Sequence, residues 1–362
     1  MKPAKLISLT IAIAAGLIAL LMSPEYYHIN GLSVVEQRVI AIFIFAAIMW
    51  VSEAVPIWTT SVLVIVIMLL SVSDSSFLFL RNGSEHQTLG TLIKYKALMA
   101  TFADPIIMLF LGGFFLAMGA GKVGLDKNLA RVLFKPFGTK SQTVLLGLMF
   151  VTAFFSMFMS NTATTAMMFA VMAPLLKPME NSGKGRVALV LAIPVAANIG
   201  GIGTPIGTPP NAIALKYLND VDGLNLGIGF GQWMVVMVPF VAVIMLASWW
   251  ILLRLFPFKR DVLELNFEGE FEKTKKAKIV YVTFAVTVLL WMFDKFTGIN
   301  SNVVAMIPMA VFCVTGIVDK NDLKEISWDV LWLVAGGFAL GVGLQDTGLA
   351  KHMIASIPFE TW

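Results

Sequence analysis

Phe158-Met159-Ser160-Asn161-Thr162-Ala163-Thr164-Thr165 lies at the midpoint of a mostly apolar run from Ser141 to Pro178. A straight helix over that run would measure about 55 Å, against a hydrocarbon core of about 30 Å. A polar cluster at its centre predicts two half-length helices meeting at a tip, a re-entrant hairpin that enters and leaves by one face. A second irregularity follows. From about Val187 the chain is apolar to Ile199 and then reads Gly200-Gly201-Ile202-Gly203-Thr204-Pro205-Ile206-Gly207-Thr208-Pro209-Pro210-Asn211. Three prolines and four glycines within 200–210 do not continue a regular helix, so a broken helix is expected. Irregular backbone at membrane depth persists only where protein buries it or where it lines a wet cavity. Two plainer readings compete: hydroxyls and amides that cap helix ends, and a long extramembrane loop in which Thr204, Thr208 and Asn211 are turn residues. The lack of any charge from Gly200 to Leu215 argues against the loop.

Composition points the same way. Of 362 residues, 58% are hydrophobic and 13% charged, with a mean hydropathy of +0.85. Soluble chains carry about 25% charge, so a soluble enzyme, a disordered chain and a nucleic-acid binder are all excluded. Cys313 alone forms no intrachain disulfide, and His28, His86 and His352 have no metal-ligand spacing. No His-x-x-x-His pair, nucleophile elbow or paired intramembrane carboxylates support an embedded enzyme. Ordinary spans are expected at about 6–22, 36–53, 56–73, 105–121, 230–253, 278–293, 302–318 and 328–345. The first follows Lys2 and Lys5 without a small-x-small cleavage site after Met22, and reads as an uncleaved helix rather than a signal peptide. With a cytoplasmic N-terminus and a re-entrant hairpin, 19 of the 26 Lys and Arg residues fall on the inner face. A double crossing at 141–178 would split the basic clusters of 122–140 and 177–186 across opposite faces.

Gly112-Gly113-Phe114-Phe115-Leu116-Ala117-Met118-Gly119 is echoed 224 residues later by Gly336-Gly337-Phe338-Ala339-Leu340-Gly341-Val342-Gly343. Gly-Leu follows each at one interval, as Gly124-Leu125 and Gly348-Leu349, and Asp104 and Asp329 precede them. The topology from charge runs the two copies in opposite directions. Inverted repeats with discontinuous helices are the layout of secondary transporters, with sites near the bilayer midplane. At that offset, partners for Ser160 and Gly200 are expected near 384 and 424, beyond Trp362, so the chain is expected to be C-terminally incomplete. The fold class is therefore an all-α polytopic membrane protein, an inverted-repeat secondary transporter with a re-entrant hairpin and a broken helix.

The hairpin tip suits two ions. The second half-helix points its positive N-terminal end, near Asn161 to Thr164, at mid-membrane, where backbone N–H groups bind a carboxylate or sulfate without a lysine. The carbonyl end of the first half-helix, with the hydroxyls of Ser156 and Ser160 and the amide oxygen of Asn161, suits sodium. Carbonyls freed at Gly200 and Gly201 complete such a shell. Glu53 in Ser52-Glu53-Ala54-Val55-Pro56 reads as an interfacial cap for the next helix, with a buried proton carrier as the alternative. Asp104 before Pro105 reads as an N-terminal cap. Asn82-Gly83-Ser84 matches a glycosylation sequon of low specificity.

These motifs, Ser160-Asn161-Thr162 at a hairpin tip, the glycine-proline stretch 200–211 and Ser-Glu-Ala-Val-Pro at 52–56, resemble the divalent anion:sodium symporter family, which carries dicarboxylates, citrate or sulfate. The resemblance covers the whole chain. It implies a plasma-membrane homodimer whose subunits each pair a scaffold with a transport domain that moves as an elevator. It implies sodium as coupling ion, no organic cofactor, and a small dianion as substrate, most simply a C4-dicarboxylate such as succinate; sodium-independent exchange or sulfate transport is the alternative. Carried over by position, Ser156, Ser160, Asn161 and the Gly200-Gly201 backbone hold sodium, while Asn161 and Thr162, with Ser160 and Thr208, face the substrate. The implied division is 1–121 scaffold helices, 122–140 a cytoplasmic amphipathic connection and 141–229 hairpin and broken helix. The last helix of the first repeat with its linker fills 230–277, and the start of the second repeat fills 278–362.

Overall fold

The computed structural model describes residues 3–82, 87–176, 183–219, 224–259, 262–263 and 271–356, except the side chains of Pro174 and Leu175. Gly83 and Ser84 of the sequon, His86, Lys177, Arg260 and Trp362 lie outside them. Among the described residues there is no β-strand, only two isolated bridges. The helices are α1 (Pro3–Leu21), α2 (Val34–Ser52), α3 (Ile57–Ser71), α4 (Tyr95–Ala100), α5 (Pro105–Lys122), α6 (Leu125–Phe134), α7 (Ser141–Ser156), α8 (Asn161–Leu176) and α9 (Lys184–Gly201). They continue as α10 (Pro209–Leu218), α11 (Phe230–Leu255), α12 (Lys275–Met292), α13 (Asp294–Thr297), α14 (Ser301–Val304), α15 (Met306–Val314), α16 (Trp328–Asp346) and α17 (Leu349–Ala355). The chain is an all-α polytopic membrane protein: among the described residues six segments are long and apolar enough to cross a bilayer, with shorter apolar helices at 57–71, 141–156 and 301–314. Helix α11 leaves Val235, Val236 and Val243 at least 66% exposed, a face tolerable only against lipid.

Two compact units form, one from 1–107 and 327–362, the other from 108–326. In the first unit α1, α2, α3 and α16 pack together. Helix α2 starts in a capping box, Ser33 accepting from the Glu36 amide and Glu36 accepting from Ser33. Glu36, 1% exposed, also meets His352 of α17 at 2.8 Å. Glu53 departs from the expected helix cap. It is exposed and closes α2 in the left-handed conformation (φ 46°), while α3 begins after Pro56 without a side-chain cap. The exposure of Glu53 runs against the alternative of a carboxylate buried within the chain. Asp104 does cap α5, accepting from the Ile106 amide at 2.9 Å.

The glycine repeat has a structural counterpart inside each unit. In the second, a Cβ on Gly112 would stand 2.6 Å from Ala305 Cβ, and one on Gly119 would stand 2.9 Å from Phe312 Cζ. In the first, a Cβ on Gly336 would stand 2.5 Å from Ser61 Cβ and one on Gly343 would stand 2.7 Å from Met68 Cε. The glycines are offset by 224 residues and their partners, Ser61 to Ala305 and Met68 to Phe312, by 244. Each glycine helix thus packs on the preceding helix of the opposite repeat. The Gly-Leu echoes match as well, with Gly124 and Gly348 both left-handed (φ 60° and 86°) ahead of α6 and α17.

Candidate functional site

Helices α7 and α8 are 16 residues each, about 24 Å. They are longer than half a bilayer core and shorter than a full one. The connection is only 157–160, so Thr162, Thr164 and Thr165 lie in the first turns of α8 rather than in the turn. Both helices pack on α9. Helix α7 buries Val144, Leu145, Leu148 and Val151 in one core with Ala188, Leu189, Ala192 and Ile193 of α9. This fixes the last turn of α9 against the hairpin connection.

The break comes directly after the glycine pair rather than at it. Gly200 and Gly201 are both helical, 202–208 form the turn, and α10 starts at Pro209, where a missing N–H costs nothing. The glycines are there for close approach. A Cβ on Gly200 would stand 2.8 Å from the carbonyl carbon of Ala153 in α7, and one on Gly201 would stand 2.6 Å from Asn161 Oδ1. The turn is braced from several sides. Asn211 Nδ2 donates to the carbonyls of Gly201 and Thr204, both at 2.8 Å. Trp233 Nε1 donates to the Ile202 carbonyl at 3.0 Å, and Thr204 Oγ1 donates to the Met157 carbonyl of the hairpin connection.

At this junction oxygen atoms gather. Ser156 Oγ lies 2.7 Å from Asn161 Oδ1 and 2.7 Å from the Ala197 carbonyl oxygen. A hydroxyl has one proton for these two acceptors, so one oxygen–oxygen contact is left without a hydrogen between. Asn161 Nδ2 is turned away and donates to Asn198 Oδ1 at 3.0 Å. Ser156 is fully buried, Asn161 half-buried, and no charged residue occurs in 141–176 or 187–215. A cluster of neutral oxygens with surplus lone pairs fits a monovalent cation. Among the described residues no His, Cys, Asp and Glu group of metal-binding composition occurs.

Of the expected cation ligands, Ser156, Asn161 and Gly201 come together here. The Gly200 and Gly201 carbonyls already accept from Gly203 N (2.9 Å) and Asn211 Nδ2, each retaining a second lone pair. Ser160 caps α8, its Oγ accepting from the Ala163 amide at 3.3 Å and its carbonyl from Thr164 N at 2.9 Å. Thr162 is exposed beside that helix start. Thr208 is half-buried at the start of α10 without a side-chain cap bond, and no bond joins its side chain to the oxygen cluster. Sequence reading missed Ala197 and Asn198. Asn198 stands three residues before Gly201, on the same helix face, and that spacing was the available signal.

Comparison with known proteins places this geometry in a lineage. Residues 45–361 match the family model described as Citrate transporter. The chain is 31% identical over 319 residues to the inorganic phosphate transporter PHO87 of Saccharomyces cerevisiae, covering 87% of this chain and 33% of that protein. It is 30% identical over 330 residues to the uncharacterized transporter C3B8.04c of Schizosaccharomyces pombe (89% and 36%). It is 29% identical over 379 residues to the sodium-dependent dicarboxylate transporter SdcS of Staphylococcus aureus (95% and 69%). The chain thus spans about a third of the length of its yeast relatives. With the matched family model spanning the hairpin, the broken helix and both glycine repeats, the chain belongs to the citrate transporter family, relatives of the divalent anion:sodium symporters that its motifs resemble.

Proposed function

We propose that this transporter chain carries the binding site of a sodium-coupled symporter for a small divalent anion, with a C4-dicarboxylate such as succinate as substrate. The observation that carries the reading is the contact of Ser156 Oγ with Asn161 Oδ1 and the Ala197 carbonyl, three oxygens sharing one proton. Sodium is held by Ser156, Asn161 and the α9 end at Ala197, Gly200 and Gly201, with Ser160 at the rim. The substrate carboxylate meets the amides that open α8, beside Ser160, Asn161 and Thr162, with Thr208 across the break. A bound sodium offsets the substrate's charge at a site without a cationic side chain, which makes binding of the two interdependent.

The relative SdcS supports sodium and dicarboxylate. PHO87 supports a second reading, inorganic phosphate, which at neutral pH is present partly as a small dianion. The protein works in the plasma membrane as a homodimer with its N-terminus in the cytoplasm, and the hairpin and broken helix move together as an elevator. The test is uptake of labelled succinate, sulfate and phosphate by proteoliposomes containing the complete gene product, with sodium or choline outside. Succinate uptake that rises with sodium, and is abolished by Asn161→Ala while the protein stays in the membrane, is expected. Equal uptake in choline refutes the symport.

A further inference from the structure

In the first unit, α1 ends at Leu21, α2 begins at Val34 and α3 ends at Ser71, and two adjacent side chains close those ends. Gln37 Nε2 donates to the carbonyls of Ala19, Leu20 and Met22 at 3.2, 3.0 and 2.7 Å. Arg38 Nη1 donates to those of Ser71 and Leu80 at 2.9 and 2.6 Å. Three apolar helices therefore terminate around Arg38, which marks the level where they leave the hydrocarbon. A guanidinium has five N–H donors. Among the described residues Nε and Nη2 of Arg38 donate to no protein group, and no carboxylate lies within 4 Å of it. A half-buried cation at that boundary, with donors to spare, attracts the anionic groups found there.

Below Arg38 runs a groove of about 300 Å³ walled by Ile13, Gly16, Leu17, Ala41, Phe45 and Ile67. Arg38 to Phe45 is seven residues of α2, about 10 Å along the axis. The groove's walls are apolar and its rim, at Ile13 and Leu17, is exposed on the outside of the helix bundle, where acyl chains are the surrounding medium. Apolar walls beside a cation with free donors select an amphipathic anion. We propose that Arg38 and this groove bind one membrane phospholipid, the phosphodiester on the free guanidinium edge and one acyl chain between α1, α2 and α3. Arginine's planar fork matches a phosphate oxygen pair, and the bilayer supplies that group at the right depth. The site is separate from the oxygen cluster and does not depend on the transport reading.

The test uses the purified, delipidated chain in detergent. Native mass spectrometry and thermal unfolding are followed with added phosphatidylglycerol, with a phosphate-free galactosyl diacylglycerol of the same chains, and with inorganic phosphate alone. Phosphatidylglycerol is expected to be retained and to raise Tm, the galactolipid to bind at least tenfold more weakly, and inorganic phosphate to do neither. Arg38→Gln should weaken phosphatidylglycerol binding at least tenfold, with Arg38→Lys in between. Leu17→Trp, which fills the groove from its exposed rim, should lose the lipid with Arg38 intact. Because Arg38 also braces Ser71 and Leu80, the deciding quantity is the lipid-dependent rise in Tm rather than Tm itself. Equal binding of the galactolipid, unchanged binding by Arg38→Gln, or copy-to-copy crosslinking through Leu17→Cys would each overturn the assignment.

Discussion

Gly201→Ala separates the ion site from the fold. The added Cβ would stand 2.6 Å from Asn161 Oδ1 and 3.2 Å from the Gly207 carbonyl oxygen. Carbon and oxygen rest at about 3.4 Å, so Oδ1 must withdraw by about 0.8 Å. It sits at the end of a side chain with two rotatable bonds, and a rotamer displacement costs about 0.5–1.5 kcal/mol. Replacing a helical glycine by alanine returns up to about 1 kcal/mol. The fold should therefore survive, with Tm within a few degrees of the parent. The ion site does not survive equally. Hard cations of this size hold oxygens at about 2.3–2.6 Å, so a ligand pushed beyond about 3 Å is lost. Removing one charge–dipole contact costs about 1.5–3 kcal/mol, which raises the sodium concentration for half-saturation roughly 10- to 150-fold. The assay is sodium-dependent thermal stabilisation of the purified protein, paired with the sodium activation curve of uptake. A half-saturation within twofold of the parent, at unchanged Tm, would refute Asn161 Oδ1 as a cation ligand.

Gly200→Ala should behave in the opposite way, because its Cβ meets the backbone of Ala153, which does not yield; a stability loss of about 3 kcal/mol is expected in denaturant titration. Asn198→Ala frees the Asn161 amide to rotate and should raise half-saturating sodium roughly tenfold, whereas Asn198→Asp, still an acceptor for Asn161 Nδ2, should not. At the ends of α5 and α15, Asp322 is held below the ordinary carboxylate range by the Asp319 amide and then by Lys122, 2.5 Å away. Its folded value is depressed, so its stabilisation is present above the unfolded value of about 3.9 and is lost as pH falls through the lowered one. The Tm advantage over Asp322→Asn should therefore be flat from pH 7 to about pH 5 and decline progressively as the pH falls below about 4; an advantage that vanishes near pH 6 would contradict it.

Much of the molecule is legible because a bilayer imposes one-dimensional rules. Apolar length sets the spans, and the expected 105–121, 230–253 and 328–345 lie within a few residues of α5, α11 and α16. Polar residues and prolines inside apolar runs mark the hairpin connection at 157–160 and the turn at 202–208. Details governed by packing were less legible. Glycine and proline propensities locate a break without saying which glycines stay helical; Gly200 and Gly201 do, and their lack of a side chain lets Ala153 and Asn161 approach. Glu53, three residues before Pro56, looks like a cap, yet it closes the preceding helix in a left-handed conformation.

The sequence by itself determined that this is a membrane-embedded helical chain with two interruptions and a repeated glycine helix, because hydropathy, helix breakers and a fixed offset are properties of order along the chain. Only the tertiary structure decided what those glycines are for: Gly112 and Gly119 admit Ala305 and Phe312, and Gly336 and Gly343 admit Ser61 and Met68, a reciprocal exchange between repeats whose partner residues share no motif. Likewise the oxygen cluster joins Ser156, Asn161 and Ala197. A backbone carbonyl carries no sequence signature, so its part in a site is fixed by where helix α9 comes to rest.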